Sequence, residues 1–139
     1  MIEFVVYGEP VAQGRPRATT VNGKVRTYDP NNSREYKHYI RLAAVDHALE
    51  KLLEGPVELE LRIYRPTPKS YSKRKKELAE KGEIRPTGRP DVDNYVKSVK
   101  DALRSVIWKD DNQVVRILAE KFYSQKPRTE IIIRELGRG

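Results

Sequence analysis

Val57-Glu58-Leu59-Glu60-Leu61-Arg62-Ile63-Tyr64 alternates apolar and polar side chains over eight positions, with Pro66 and Pro68 just beyond. Period two puts the four aliphatic residues on one face, so the stretch predicts a half-buried strand that the prolines close. Upstream, Gly55-Pro56 is expected to stop a helix that starts at Asp29-Pro30 and runs to about Leu53, with Asp as N-cap and Pro in the first turn. Before it, residues 2–7 read as a strand ended by Gly8-Glu9-Pro10, and residues 12–17 as a loop. Asn22-Gly23 between β-compatible flanks is a hairpin signal. Downstream, residues 70–81 predict a charged surface helix, and Gly82 to Pro90 a loop. A second main helix starts near Asp93, where Tyr95, Val99, Ala102, Leu103 and Val106 make one apolar stripe. Residues 114–123 and 129–136 are β-rich and are expected to pair as a C-terminal hairpin across Ser124–Arg128. This order predicts an α+β fold: a single compact domain over residues 1–139, with a mixed, partly antiparallel sheet, two main helices and a basic surface helix.

Composition narrows the function. The 139 residues include no cysteine, which removes disulfide scaffolds, cysteine nucleophiles and thiolate metal sites. No run approaches the ~18 apolar residues of a membrane span, and no basic-then-apolar leader is visible at Met1. A soluble cytoplasmic protein without a membrane partner is therefore expected. The net charge of +8 is concentrated: residues 62–89 carry ten basic side chains against three acids, which leaves only +1 for the rest of the chain. Such a localised field suits a polyanion, and nucleic acid first. The competing reading is a solvated basic helix that touches nothing.

Acids flank the second main helix on both sides. Arg89-Pro90-Asp91-Val92-Asp93-Asn94-Tyr95-Val96-Lys97 leads into it, and Trp108-Lys109-Asp110-Asp111-Asn112-Gln113-Val114 leaves it. Asp91 and Asp93, two apart in an extended segment, would point to the same side, where a hard cation relieves their repulsion. A third carboxylate from Asp110 or Asp111 would give the ligand set of a metal-dependent phosphodiesterase. Lys97, four residues after Asp93, would stand one turn up on the same face, within reach of a phosphate or an attacking water. Seen alone, Asp-Val-Asp-Asn before an amphipathic helix reads as a cap. A cap does not explain the second acidic pair beyond the helix, where the dipole disfavours negative charge. Residues 94–107 as a helix would span about 21 Å, whereas residues 108–111 reach back only about 13 Å. Either the helix ends early and the chain doubles back, or Asp111 meets Asp91 of a two-fold partner; the dimer is the preferred arrangement. His38 and His47 lie about half a turn out of phase and cannot share a metal, and no nucleophile elbow, phosphate-binding loop or dinucleotide fingerprint is present.

At these residues the sequence resembles the RusA family of Holliday-junction resolvases, small endodeoxyribonucleases of phages and prophages. The resemblance runs through Gly8-Glu9-Pro10, Gly14-Arg15-Pro16-Arg17, Thr27-Tyr28-Asp29-Pro30, Arg65-Pro66-Thr67-Pro68-Lys69-Ser70 and the Lys-rich helix. It continues in Gly82-Glu83-Ile84-Arg85-Pro86, and is most specific in Pro90-Asp91-Val92-Asp93-Asn94 with Lys97 and in Trp108–Val114. The resemblance implies a RusA-like fold and a homodimer that binds four-way DNA and makes paired, Mg²⁺-dependent nicks in opposed strands, with Mn²⁺ as a substitute metal. It implies Asp91, Asp93 and Asp111 as metal-coordinating catalytic carboxylates, Lys97 as catalytic lysine, and Asp110 and Asn94 as supporting residues. Together with the charge distribution, it points to DNA contacts from Arg15, Arg17, Lys69, Lys73, Arg74, Lys75, Lys76, Arg85 and Arg89. The alternatives are a non-catalytic basic DNA-binding module whose acids are caps, and a nuclease of broader specificity for flaps or branched DNA.

Overall fold

The computed structural model describes residues 1–13, 17–21, 23–28 and 31–137. Its elements are β1 (Ile2–Tyr7), β2 (Arg17–Val21), β3 (Lys24–Tyr28), α1 (Asn31–Val45), β4 (Val57–Pro66), α2 (Lys73–Glu80), α3 (Val92–Leu103), a 3-10 turn (Asp111–Gln113), β5 (Val114–Ser124) and β6 (Arg128–Glu135). Four strands form one mixed sheet in the order β1-β6-β4-β5, and β2 and β3 form a separate ribbon. The ribbon pairs Val21 with Lys24 across two intervening residues, the register of a two-residue hairpin loop. The helix start expected at Asp29-Pro30 lies outside the described residues.

The alternating stretch is the centre of the sheet. Val57, Leu59, Leu61 and Ile63 are fully buried, and they meet Ile131 and Ile133 of β6 on the face that α1 and α3 cover. The opposite face is held largely by charge. Arg134 donates to Glu58 and Glu60, Arg62 to Glu60 and Glu130, and Arg128 to Glu130. These pairs explain how Glu60 is buried at little cost: both its oxygens are occupied by guanidinium donors. Glu60 apart, the polar face of β4 stays partly exposed, as the alternation predicts for a half-buried strand.

Three expectations are corrected. The first main helix ends at Val45, not near Leu53. Its buried stripe is Ser33, Tyr36, Lys37, Ile40 and Ala44, and another two turns would bring only His47, Ala48 and Lys51 to that stripe. Without large apolar side chains to bury, the chain leaves the helix. His47 instead stacks on Phe4, and Leu53 N–H donates to Ile107 O (2.8 Å). The last main helix likewise stops at Leu103, before Val106. Ser105 adopts a left-handed backbone (φ 67°) and donates to Trp108 O (2.7 Å), which reverses the chain and delivers Trp108 to the core.

The third correction concerns the C-terminal strands, which do not form a hairpin. β4 lies between them, parallel to β5 and antiparallel to β6. Direct pairing of β5 with β6 would part Glu58 and Glu60 from Arg134 and move Leu61 from its place between Ala119 and Ile131. The link from Ser124 to Arg128 can reach about 13 Å, enough for two strand spacings of about 9.6 Å. Tertiary contacts hold it: Thr67 N–H donates to Ser124 O, Gly8 N–H to Pro127 O, and Gln125 N–H to the Glu80 carboxylate.

Candidate functional site

α3 begins one residue earlier than expected, so Asp91 and Asp93 do not share an extended segment. Asp91 is the N-cap, in extended conformation, and Asp93 stands in the first turn. Both exposed carboxylates sit at the positive end of the helix dipole, and Lys97 follows one turn above Asp93, also exposed. Asp91 does not cap, because its side chain accepts no hydrogen bond from the helix. Among the described residues, no hydrogen bond or ion pair engages the side chains of Asp91, Asp93 or Lys97. A cap explains Asp110 instead. Its carboxylate accepts from Asn112 N–H (3.0 Å), and Gln113 Oε1 accepts from Asp110 N–H (2.7 Å) in a capping box. The two acidic clusters thus differ in kind.

Asp91 opens onto a groove of about 870 Å³ lined by Glu9 to Gln13, Asn32, Arg65, Arg89, Pro90, Asn94 and Tyr95. Arg65 and Arg89 bring positive charge to the same groove. Burial pushes the Tyr95 phenol above its ordinary range. Gln13 N–H donates to Asn94 O (3.0 Å), which pins the N-terminal loop over the start of α3.

The chain does double back after α3, and Asp111 reaches a second cleft, lined by Gln13, Lys97, Lys100 and Asp101. Its carboxylate is oriented by the core: the indole N–H of Trp108, itself fully buried, donates to Asp111 Oδ1 (3.0 Å), and Arg104 lies 3.9 Å from Oδ2. Gln13 lines both clefts, so the Asp91 and Asp111 sites adjoin there. They do not merge within one chain. Among the described residues, no three His, Cys, Asp or Glu side chains come close enough together to hold a metal ion. One or two carboxylates completed by water and phosphate oxygens suffice for Mg²⁺. The Asp91 and Asp93 carboxylates, without partners among the described residues and at a helix N-terminus, are of the chemistry a hard cation takes, whereas Asp111 lines the other cleft.

The basic residues differ in how they are engaged. Lys73, Arg74 and Lys75 are exposed and Lys76 half-buried on α2, whose N-cap Ser72 accepts from Lys75 N–H (3.2 Å). No acid offsets them in the first turn. Four cations there oppose the helix dipole, at roughly 0.3–1 kcal/mol each near the terminus. Lys69 is exposed just before the helix, and Arg89 stands at the groove. Arg85 is committed elsewhere: it donates to Lys121 O (2.6 Å) and Glu120 (3.0 Å) and stacks on Phe122. Arg15 lies outside the described residues, and Arg17 is in β2, its side chain outside that description.

Sequence reasoning missed Gln13, Arg65, Lys121 and Trp108 as groups that shape the site. Trp108 sits within the second motif and could have been singled out as a donor. Arg65 lies in a stretch that carries the resemblance, but its place at the site, like those of Gln13 and Lys121, comes only from the sheet and loop packing.

The family model described as endodeoxyribonuclease RusA matches residues 7–134. The chain is 57% identical over 138 residues to the uncharacterized protein YqaN of Bacillus subtilis (strain 168), covering 98% of this chain and 97% of that one. It is 28% identical over 135 residues to the crossover junction endodeoxyribonuclease rusA of Lactococcus phage r1t, covering 96% of each. Among the described residues, no helix is long and apolar enough to cross a membrane. The match spans almost every element that builds the two clefts, and on it the chain belongs to the RusA endodeoxyribonuclease family.

Proposed function

We propose that this protein is a homodimeric, Mg²⁺-dependent resolvase of four-way DNA junctions that nicks opposed strands in pairs during recombination and repair in a bacterial or phage-infected cytoplasm. The observation that carries the reading is Asp91: an aspartate at an N-cap that makes no cap bond, lining a groove together with Arg65 and Arg89. Arg65 and Arg89 would hold the phosphodiester over the groove. Asp91 and Asp93 would hold the cation, with Asp111 as a further carboxylate from the adjoining cleft or from a partner. When bound, Mg²⁺ supplies Lewis-acid polarisation of the phosphate and neutralises charge that builds up on it. The Lys97 ammonium, exposed and without a partner among the described residues, would stabilise negative charge on the phosphoryl oxygens. The lysines of α2 would track the arms of the junction, and a phosphate near the helix start would offset the unfavourable dipole placement.

An end-labelled junction with Mg²⁺ tests the proposal. Paired symmetric nicks are expected; no nicks would leave a binding module, and scattered cuts a broader branched-DNA nuclease. The role of α2 has its own measurement. Changing Lys73, Arg74, Lys75 and Lys76 together to alanine should flatten the salt dependence of binding by about 0.9 in log–log slope for each phosphate that is no longer neutralised. Affinity for linear and branched DNA should fall alike, and an unchanged slope would show that this helix is only solvated surface.

A further inference from the structure

The segment that presents Asp91 is held in place by side chains far away in sequence. Thr87, Gly88 and Arg89 are exposed and bury no apolar group that could fix them. Their place is set by hydrogen bonds to three consecutive carbonyls. Lys121 Nζ donates to Gly88 O (2.9 Å) and Pro90 O (3.0 Å), and Arg65 Nη1 donates to Arg89 O (3.0 Å). Pro90 is the residue next to Asp91, so one ammonium anchors the peptide from which that carboxylate projects. The other end of the loop closes on the same residue, since Arg85 Nε donates to Lys121 O. Lys121 is opposite Ile63 in the β4–β5 register and Arg65 is two residues on, so both cations project from the helix-covered face of the sheet. Among the described residues no carboxylate pairs with either cation. Their bonds run to neutral carbonyls, and their charge remains beside the groove.

We infer that Lys121 is a positioning residue for the Asp91 carboxylate, with Arg65 as its companion, so that the cation-binding geometry of the cleft is set from the sheet. This rests on the metal reading of Asp91 given above. Lys121 does not line the groove, so it acts through the 88–90 backbone and not by touching DNA. Partners that orient metal ligands without touching the metal typically contribute 10–100-fold in affinity or activity.

Lys121→Met keeps the aliphatic stem and removes the donor, and Lys121→Arg restores a donor and its charge. Mn²⁺ binding, followed by the loss of the free-ion EPR signal with the junction-bound protein, and Mg²⁺-dependent nicking are measured for both, with thermal unfolding as a control on the fold. Lys121→Met should weaken Mn²⁺ binding about tenfold and raise the half-saturating Mg²⁺ similarly. Junction affinity in Ca²⁺ should stay within about threefold, and Lys121→Arg should regain most of the loss. If Lys121→Met does not fold at the assay temperature, Lys121→Leu, which also removes the donor and stays apolar, takes its place with the same expectation. A folded Lys121→Met or Lys121→Leu protein that binds Mn²⁺ and nicks as wild type would overturn the inference. Asp91→Asn run in parallel separates the two ideas: wild-type Mn²⁺ binding and nicking there would sink the metal reading itself.

Discussion

Asp93→Asn is expected to lower junction nicking by more than about a hundredfold, beyond what changes around a metal site usually cost, while junction binding is retained or slightly tightened. The substitution keeps shape and hydrogen-bonding capacity and removes one negative charge. Asn is about as good as Asp at helix starts, so stability should hardly move. Binding should not suffer, because a carboxylate that repels phosphate has been neutralised. Asp91→Asn should behave in the same way, since the Asp91 side chain makes no cap bond to lose. A gel shift in Ca²⁺ and a nicking assay in Mg²⁺ on the same junction make the comparison. Nicking at the wild-type rate by folded Asp93→Asn would reduce that residue to a complement of the helix dipole. The contrast is Asp110, whose capping box makes it a structural residue. Asp110→Ala should cost about 0.5–2 kcal/mol of stability, the ordinary cost of a lost cap.

Trp108 gives the largest effect on stability. It is the chain's only tryptophan, fully enclosed at the point where the chain turns back from α3 to β5. Trp108→Ala should cost about 3–5 kcal/mol, read from urea unfolding followed by circular dichroism because the fluorescent group is gone. Trp108→Phe should restore much of that stability but not the indole N–H. Asp111 Oδ1 then loses its buried donor, and Arg104, 3.9 Å from Oδ2, is the group left to draw the carboxylate aside. Nicking by Trp108→Phe should fall roughly 10–100-fold while the protein stays folded. Wild-type nicking by that variant would show that Asp111 needs no orientation from the core.

Patterns within one element are legible in the amino-acid sequence itself. The alternation over Val57–Tyr64 marks a strand, because period two and a buried face are consequences of the same pleat. The stripe from Tyr95 to Leu103 marks a helix with one apolar side, and Asn-Gly between short β-compatible flanks marks the β2–β3 ribbon. The two acidic motifs around α3, with Lys97, point to the same region of the molecule that the clefts occupy. Each of these signals depends on residues within a few positions of one another.

What required the tertiary structure were choices between distant partners. Residues 114–123 and 129–136 carry good hairpin patterns, yet β4 intervenes, because its two edges complete ion pairs and apolar contacts that a local hairpin would forgo. The first main helix stops at Val45 because no buried face is left to continue, a fact about the sheet beneath it and not about helix propensity. In the same way, four aspartates of similar local appearance divide into one that caps, one held by a tryptophan, and two with free carboxylates. Sequence placed those carboxylates near a helix; only the packed sheet, through Arg65 and Lys121, decided where the segment carrying Asp91 would stand. Period and propensity are properties of a stretch of chain, whereas strand order and the anchoring of a loop depend on which remote donor reaches which acceptor.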